Sequence, residues 1–430
     1  MALRRRLLFR STLVVVAALL ASSFASRSAL ADSSAAATSS ASCFTQVSRG
    51  GFGNPKNTYA WAMKAFGNYL YVGTLNKAAV GGLGSLDAPQ SSSSLLRPTA
   101  HSDVTGTQIW RFDGTTWTQV VSDGFGSKNN QGTRNFAIYN NAIYAGTLNP
   151  LGGAEVWSSS DGLTWTQVAK NGIGNVLNSS IRGMTVWRGK LWVGTVNQLG
   201  GEVWNYDGTT WTKVAARGIN HATNDTISDL RIYQDQLYAG TWNGRGAEMY
   251  RYDGTTWTQL VGGSAVTPTG FGDVNNTGIF TIIDFHGALY ASTRNFSTGF
   301  MVYRSQDLGS TWQPVVSNGF GDATQRYGWR MFVWNDQLFL GTFVSGNSGP
   351  DQYTLGGRVY RTPDGVTWTE EVGPAGDAAG PGFGNGLNYG VRTFESFFGE
   401  LYMGTAQCFF CSFPVTGAEV WHRNASACPP

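Results

Sequence analysis

The sequence predicts an all-β protein, a seven-bladed β-propeller with four antiparallel strands per blade, and three observations support this prediction. Only 13% of the 430 residues are charged, whereas glycine occurs 57 times and tryptophan 16 times. No long helical pattern separates the short β-type segments, which favours an all-β chain. The third observation is internal repetition, since one strand motif recurs seven times.

The repeats are anchored by a motif of the form Leu-Tyr-x-Gly-Thr. It begins, at intervals of 46 to 73 residues, at Leu70, Ile143, Leu191, Leu237, Leu289, Leu338 and Leu401. Each repeat holds four short β-type segments, and the sharpest turn signal between them is an Asp-Gly pair. This pair begins at Asp113, Asp161, Asp207, Asp253 and Asp364. Seven such repeats predict seven blades around a central channel.

The two ends of the chain complement each other, which favours a ring over an open solenoid. The seventh repeat begins at Gly382 and lacks the fourth strand of the others. That strand's Trp-Thr-Gln-Val pattern occurs near the N-terminus as Phe44-Thr45-Gln46-Val47. We therefore expect the N-terminal strand to complete the last blade and close the ring, which removes the open sheet edges.

The four cysteines predict two disulfides. Cys43 precedes the N-terminal strand and Cys428 follows the strand that it should pair with, so a Cys43–Cys428 disulfide is expected to lock the ring. Cys408 and Cys411 form a C-x-x-C pair in a loop of the last blade. A small structural disulfide is favoured there over a redox or zinc site, because no helix N-terminus and no second cysteine pair accompany it. No metal and no cofactor is therefore expected.

Residues 1–31 have the pattern of an export signal. Three arginines at positions 4–6 precede an apolar stretch at 13–20 and an Ala-Leu-Ala cleavage pattern at 29–31. A membrane anchor is the alternative, but the apolar stretch is too short to span a bilayer well. Residues 32–42 read as a Ser/Ala linker and 43–430 as one propeller domain. The mature protein is expected to be secreted, extracellular or periplasmic, without a membrane span, and a monomer.

The charge of the chain changes once this signal is set aside. Five of the arginines lie in the first 31 residues, and the remainder has 25 basic and 27 acidic side chains. A nearly neutral protein has no general attraction for nucleic acid or an anionic membrane. An extracellular carbohydrate or protein ligand is the expected partner.

One turn carries a resemblance to a known family. Residues 305–312, Ser-Gln-Asp-Leu-Gly-Ser-Thr-Trp, match the Asp-box pattern S-x-D-x-G-x-T-W, and the Asp-Gly-Thr-Thr-Trp copies look like shortened versions. The chain thus resembles the Asp-box (BNR-repeat, sialidase-like) β-propellers. In that family the box is a structural hairpin, and members include glycosidases as well as binding proteins. The chain departs from sialidases, which have six repeats and an Arg-Ile-Pro motif near the start.

Three insertions are expected to wall one side of the channel mouth. The loop between the second and third strands is long in repeats 1, 6 and 7, at residues 77–106, 345–355 and 407–416. These repeats become neighbours when the ring closes, and loops often carry binding residues. The alternative is that the insertions are tolerated variation of surface loops.

The first strand of each blade should line the channel. Its alternation predicts the channel-facing residues Lys64, Asn135, Thr185, Asp229, Arg231, Thr281, Arg330 and Glu395. Asp229 and Glu395 are candidate catalytic carboxylates, because glycosidases use such a pair. The alternative is an ion-pair lining with Lys64 and Arg231. His101, in the longest insertion with Asp103, is a weak candidate base, and a solvated loop histidine is the alternative.

A set of residues at the strand entrances is the candidate ligand site. Arg134, Arg182 and Arg392 could converge on a carboxylate or sulfate, as an arginine triad does in sialidases. Alternatively, these arginines pair with the repeated glutamates Glu155, Glu202, Glu248 and Glu419. The aromatic and remaining basic candidates for ligand contact are Trp61, Trp329, Tyr327, Tyr389 and Arg330, with Trp242 nearby.

These observations favour an exported propeller that binds a carbohydrate or another extracellular polymer at the face walled by the insertions of blades 6, 7 and 1. A polysaccharide-degrading glycoside hydrolase or lyase that uses the same face is the alternative. A protein-interaction scaffold is a further alternative. Whether the protein is an enzyme and which ligand it takes are left open by the sequence.

Overall fold

The computed structural model describes residues 43–76, 105–347, 352–376, 380–408, 414–425 and 428. These residues form 28 strands, numbered β1 to β28 along the chain, in seven repeats around one axis. The innermost strand of each repeat is β2 (Asn57–Phe66), β6 (Gly132–Tyr139), β10 (Ser180–Trp187), β14 (Asn224–Tyr233), β18 (Gly278–Phe285), β22 (Gln325–Trp334) or β26 (Gly390–Phe397).

The second strand contains the Leu-Tyr-x-Gly-Thr motif and pairs with the first through a tight turn. These strands are β3 (Tyr69–Asn76), β7 (Ala142–Leu148), β11 (Lys190–Val196), β15 (Gln236–Asn243), β19 (Ala288–Arg294), β23 (Gln337–Val344) and β27 (Glu400–Ala406). Their burial is nearly complete along their whole length, because both faces of the sheet are covered by neighbouring repeats.

Two shorter strands complete each repeat on the outside. The third strands are β4 (Ile109–Phe112), β8 (Val156–Ser159), β12 (Val203–Tyr206), β16 (Met249–Tyr252), β20 (Val302–Ser305), β24 (Val359–Thr362) and β28 (Val420–Arg423). The fourth strands are β5 (Trp117–Val121), β9 (Thr166–Ala169), β13 (Trp211–Ala215), β17 (Trp257–Val261), β21 (Gln313–Val316), β25 (Thr369–Val372) and, for the seventh repeat, β1 (Phe44–Ser48). Short helical turns span Arg217–Asn220, Thr269–Gly272, Asn318–Gly321 and Pro381–Gly384.

The predicted fold of seven separate four-stranded blades is wrong, because hydrogen bonding continues from each repeat into the next. The second strand of one repeat bridges the first strand of the next, as at Leu75 with Gly132 and at Phe343 with Gly390. The same bridge occurs at all seven junctions. The fourteen inner strands therefore form one closed antiparallel barrel, with the outer strands attached to it in a propeller-like arrangement.

The predicted closure by the N-terminal strand needs the same correction. The barrel closes where Tyr59 of β2 bridges Ala406 of β27, so closure is a feature of the inner strands. β1 adds an outer strand, since Phe44 pairs with Arg423 and Gln46 with Trp421 of β28. Sequence repetition identifies strands by their side chains, whereas these junctions are backbone bridges that leave no side-chain pattern.

The predicted Cys43–Cys428 disulfide is formed, with the two Cα atoms 5.2 Å apart. It fastens the strand that begins at Phe44 to the end of the chain, at a sequence separation of 385. Cys408 is also disulfide-bonded. Cys411, its predicted partner, lies outside the described residues.

A Gly-Phe-Gly turn before five of the seven first strands explains much of the repetition, and the other two turns have Ile173 and Ile219 in place of the phenylalanine. Its phenylalanine takes a left-handed conformation, with φ of 57° at Phe271 and 58° at Phe320, which non-glycine residues rarely adopt. The cost of this backbone conformation is offset because the phenylalanine ring stacks on a tyrosine of the third strand. The ring centroids are 4.2 Å apart for Phe271 and Tyr303 and 4.0 Å apart for Phe320 and Tyr360. The turn thus holds the outer strands against the barrel.

A buried side-chain amide closes this turn in every repeat. Its Nδ2 or Nε2 donates to the carbonyl of the glycine six residues earlier, at 2.7 to 3.0 Å, from Asn57, Asn130, Asn178, Asn224, Asn276, Gln325 and Asn388. The amides lie at the start of the first strands and fix where each strand enters the barrel. The position of the channel residues follows from this anchor.

Candidate functional site: the channel cavity

The barrel encloses a cavity of about 390 Å³ along its axis. Its lining includes all eight of the predicted channel-facing residues: Lys64, Asn135, Thr185, Asp229, Arg231, Thr281, Arg330 and Glu395. Each first strand contains a bulge just before this level, such as the one between Ile227 and Asp229. The bulge shifts the alternation and turns the following side chain toward the axis.

One end of the cavity is closed by buried rings and guanidinium groups, which we term the aromatic–arginine plug. It consists of Tyr59, Trp61, Trp242, Phe280, Tyr327, Trp329, Tyr389, Arg134, Arg182 and Arg392. These residues lie near the starts of the first strands or, for Trp242, near the end of a second strand. Because seven strands converge there, their side chains fill the axis of the barrel.

The rings of the plug pack on one another and on the arginines. Arg182 lies over Trp242, with the guanidinium carbon 3.6 Å from the ring centroid, and Arg134 lies over Trp61 at 4.6 Å. Arg392 lies over Trp329 at 5.3 Å. Stacking of a guanidinium on an indole is favourable when both are desolvated, so these contacts stabilise the closed end.

The aromatic ligand candidates therefore do not form an exposed surface, which corrects the expected arrangement. Trp61 is 2% exposed and Trp329 1% exposed, and Tyr327 and Tyr389 are buried beside them. The Tyr59 hydroxyl hydrogen-bonds to that of Tyr389 within the plug. The symmetry-breaking aromatic residues that suggested a ligand site are explained by packing at the narrow end of the barrel.

The repeated glutamates are not the partners of the plug arginines among the described contacts. Glu155 accepts from Asn130, and Glu202 from Asn178, each at 2.7 Å. Glu248 and Glu419 make the same contact, with Asn224 and Asn388. The glutamates thus hold the amides that anchor the first strands, as the symmetry of the repeat suggested.

The other end of the cavity is open. Two charged side chains in the second half of their first strands are partly exposed there, Lys64 at 35% and Arg231 at 40%. This end carries the turns between first and second strands, and we call it the hairpin face. The opposite end, the loop face, is the one that the sequence analysis expected to bind ligand. Residues 77–104, 348–351 and 409–413 of its three insertions lie outside the described residues, as does His101.

Five charged side chains line the open part of the cavity, and a sixth, Asp284, pairs with one of them at the hairpin face. Lys64 Nζ lies 3.0 Å from Glu395 Oε1, and Arg231 Nε donates to Asp284 Oδ1 at 2.9 Å. Arg330 Nη1 is 3.8 Å from Asp229 Oδ1, beyond hydrogen-bond distance. Lys64 thus pairs with Glu395 as the alternative expected, whereas Arg231 pairs with Asp284 and Asp229 faces Arg330.

Burial disfavours the ionised form of both candidate carboxylates. Burial raises the pKa of Asp229 above its ordinary value, although Arg330 and a backbone amide hydrogen bond from Ile282 act against it. Burial likewise raises the pKa of Glu395, against the attraction of Lys64. A raised carboxyl pKa is a property of general acids, but here each carboxylate also contacts a cation of the lining.

Several lining residues also hold neighbouring repeats together. Asp229 accepts the Ile282 amide at 2.7 Å, and the Thr281 hydroxyl donates to the Trp329 carbonyl at 3.4 Å. Asn135 donates to the Ile181 carbonyl at 3.3 Å. These side chains bridge strands of adjacent repeats below the backbone junction. Sequence reasoning identified their position but not this structural role.

Asp284 is a charged residue beside the cavity that was not predicted from the sequence. It lies on β18 and pairs with Arg231 of the neighbouring repeat, at the hairpin face. Its signal in the sequence is an acidic residue in an otherwise apolar strand, Gly-Ile-Phe-Thr-Ile-Ile-Asp-Phe. That signal becomes meaningful only when the adjacent strand supplies the cation.

The described histidines each contact a separate carboxylate. His221 Nδ1 contacts Glu248 at 2.7 Å, where the equivalent Asn175 and Asn385 contact Glu202 and Glu419. No group of three or more His, Cys, Asp or Glu side chains within the described ranges is arranged to hold a metal. In the same ranges, no helix has the length and apolar character required to cross a bilayer.

Comparison with known proteins identifies the fold and no family. No protein-family model and no curated protein matches the chain. Among solved structures, a GH74 enzyme of Niastella koreensis superposes with a TM-score of 0.52 at 18% identity, over 85% of this chain and 53% of that one. The extracellular domain of BT4673 from B. thetaiotaomicron gives 0.51 at 12% identity, over 88% and 40%. The chain spans about half the length of these proteins or less, and such similarity shows a propeller-like fold alone.

Proposed function

We propose that this chain is an exported carbohydrate-binding protein and that the channel cavity, open at the hairpin face, holds the sugar. The observation that supports the proposal is the cavity itself, which is polar, lies on the axis and presents charges of both signs. Its volume of about 390 Å³ falls within the range of about 300–1,000 Å³ that is usual for small-molecule sites.

The chemistry of the lining suits a ligand rich in hydroxyl groups. Lys64 and Arg330 supply N–H donors, Glu395 supplies acceptors, and Thr185 supplies a hydroxyl that can act as either. A hydroxyl group both donates and accepts, so it can bridge neighbouring donors and acceptors of this kind. An apolar ligand would leave the same groups desolvated without partners, which is unfavourable.

Binding is favoured over hydrolysis because the carboxylates are engaged. A retaining or inverting glycosidase needs one carboxyl group as acid and a second as nucleophile or base. Here Asp229 faces Arg330 and accepts a backbone amide, and Glu395 is held by Lys64. The specific observation in favour of the alternative, a glycoside hydrolase or lyase, is the raised pKa of both groups.

Export is supported by the disulfide chemistry. The Cys43–Cys428 bond and the bonded state of Cys408 are typical of proteins that reach an oxidising compartment. This agrees with the predicted signal at residues 1–31. The insertion-walled loop face remains a second location for ligand, since most of its insertions lie outside the described residues.

The test is native electrophoresis through gels cast with a panel of polysaccharides, which are stained for polysaccharide afterwards. The variant Thr185→Tyr fills the cavity, and Thr258→Tyr on the exposed outer strand β17 is the matched control. We expect wild type and Thr258→Tyr to be retarded by the same polysaccharide and Thr185→Tyr to migrate freely.

Each other result contradicts a defined part of the proposal. Retardation of all three proteins moves the ligand away from the cavity, toward the loop face. A cleared zone in the stain identifies a degradative enzyme, with Asp229 and Glu395 the first residues to substitute. Unchanged mobility in every gel rejects carbohydrate binding and favours the protein-interaction scaffold.

A further inference from the structure

The three cations of the cavity are not equally engaged. Lys64 donates to both oxygens of Glu395, at 3.0 and 3.2 Å, and Arg231 contacts Asp284 through Nε and Nη2. Arg330 makes no hydrogen bond to any of the described residues, and its ion contact with Asp229 is 3.8 Å long. Its five N–H groups are therefore available to a ligand.

The position of Arg330 directs its guanidinium into the cavity. Arg330 follows the bulge of β22 in the sixth repeat, whereas Asp229 lies on β14 in the fourth. The side chain thus reaches across the intervening fifth repeat, where the small residue Thr281 lines the cavity. It is 37% exposed, so the group lies in the open part of the cavity and is not buried in the wall.

The acidic groups around Arg330 attract its guanidinium without accepting its hydrogen bonds. Asp229 attracts it from one side, and Glu395 of the seventh repeat lies close enough to interact electrostatically from the other. A guanidinium held between two acids, but hydrogen-bonded to neither, presents a preorganised fork. Such a fork matches the two oxygens of a carboxylate or a sulfate, whereas a hydroxyl uses only one of its donors.

We propose that the cavity takes an anionic saccharide and that Arg330 binds the carboxylate or sulfate group of that sugar. This inference rests on the proposed function and adds the chemical class of the ligand. Thr185 would contact a hydroxyl group of the same sugar, since it lines the cavity with Arg330. Lys64 would add a second positive charge at the mouth of the cavity.

The experiment compares polysaccharides that differ only in charge. Polygalacturonate is paired with its methyl ester, and dextran sulfate with dextran, in affinity electrophoresis at 0.15 M salt, which screens attraction between exposed charges. The proteins are wild type, Arg330→Gln, Arg330→Lys and Arg49→Gln. The last removes one exposed positive charge outside the channel and is the control for net charge.

We expect wild type to be retarded by one acidic polymer and not by its uncharged pair. Arg330→Gln should weaken this binding by about tenfold or more, because a charge-assisted hydrogen-bonded pair is lost. Arg330→Lys keeps the charge but not the fork and should recover part of the binding, while Arg49→Gln should bind as wild type does. The acidic polymer that retards the protein tells whether carboxylate or sulfate is the group bound.

Two results would overturn the proposal and are distinguishable. Equal retardation by a charged polymer and its neutral pair, unchanged in Arg330→Gln, rejects the anionic ligand and leaves carbohydrate binding intact. Free migration of wild type in all four gels and in the wider panel rejects the proposed function itself. If Arg330→Gln folds poorly, as judged by circular dichroism, an unaltered affinity of Arg330→Lys for both members of a pair gives the same rejection.

Discussion

Lys64 and Glu395 form an ion pair that joins the first repeat to the last across the barrel junction. Lys64 Nζ lies 3.0 Å from Oε1 and 3.2 Å from Oε2 of Glu395, although 331 positions separate the two residues in the sequence. Lys64 follows Tyr59, which bridges Ala406, by five residues on β2, so the ion pair lies nearer the hairpin face than the bridge. Side-chain charge and backbone pairing thus join the first and last repeats at two different levels of the barrel.

The stability of the protein should depend on pH through Asp229. Because the pKa of Asp229 in the folded protein is raised from 3.8, folding disfavours its ionised form. As pH rises from about 4 through the higher folded pKa, wild type should lose stability relative to Asp229→Asn, which keeps an oxygen for the Ile282 amide. Denaturant unfolding of both proteins between pH 4 and 8 measures the difference.

Asp207 is a control residue for which stability should change with pH in the opposite direction. Hydrogen bonds from the amides of Thr210 and Thr209 and from the Thr209 hydroxyl lower the pKa of Asp207 to about 2. The contribution of ionised Asp207 to the stability of the fold should be complete above pH 3.8 and should be lost as pH falls toward 2. A stability difference between wild type and Asp229→Asn that follows this same course would show that burial does not dominate at Asp229.

The Cys43–Cys428 disulfide should contribute substantially to stability. The two cysteines are 385 positions apart, for which loop-entropy arguments give an upper bound of about 6 kcal/mol, while native disulfides typically contribute about 2 to 5 kcal/mol. The double variant Cys43→Ala/Cys428→Ala should unfold at correspondingly lower denaturant concentration. Its β1 strand should also become accessible to limited proteolysis. A variant with unchanged stability and an intact N-terminal strand would show that β1–β28 pairing alone holds the ends together.

A buried ion cluster in the last two repeats should be sensitive to neutralisation. Glu371 accepts from Arg423 Nη2 at 2.8 Å and from Nε at 2.9 Å, and Arg423 is 3% exposed in its side chain. Arg361 contacts the same carboxylate. Glu371→Gln should cost about 3 to 5 kcal/mol in the free energy of unfolding, because it leaves buried guanidinium charge uncompensated. Equilibrium unfolding in urea measures this loss.

The matched control is an ion pair on the surface. Arg188 Nη2 lies 2.8 Å from Asp235 Oδ2, and both side chains are exposed. Asp235→Asn should leave the unfolding midpoint nearly unchanged, since exposed pairs are solvated before and after the change. If Glu371→Gln and Asp235→Asn lowered the free energy of unfolding equally, burial would not be what makes the cluster sensitive.

Adding one methyl group at Gly390 should disrupt packing in the aromatic–arginine plug. A Cβ atom at Gly390 would lie 2.3 Å from Cζ3 of Trp329, and the plug offers that ring no free space. Gly390→Ala should therefore cost about 1 to 3 kcal/mol in the free energy of unfolding. Gly244 has open space around it and is the control, for which alanine should be neutral or slightly stabilising. Thermal unfolding of both variants, with tryptophan fluorescence as the signal, tests the comparison.

The strands and the channel residues could be predicted because both follow from the periodicity of side chains along the sequence. The motif beginning at Leu70 marked the second strand of the first repeat, and alternation around Leu230 placed Asp229 and Arg231 in the channel. The complement between the chain ends likewise predicted the neighbour of Phe44. Each of these features repeats, so errors in one repeat are corrected by the other six.

The sequence could not predict features that depend on how the repeats meet. The bridge between Leu75 and Gly132 involves only backbone atoms, and so the closed barrel was missed. Trp61 and Trp329 were expected near a ligand because they break the repeat, yet convergence of the strands buries them. Asp284 was overlooked because its partner, Arg231, comes from the neighbouring repeat.

The Cys43–Cys428 disulfide also suggests that the order of the repeats along the chain can be changed. With these two Cα atoms 5.2 Å apart, a short peptide can join residues 43 and 428 in a circularly permuted variant. The tight turn at Asn140 and Asn141, between β6 and β7, can serve as a new pair of termini. In the permuted chain Lys64 and Glu395 would lie on consecutive repeats, so their ion pair would no longer join opposite ends of the sequence.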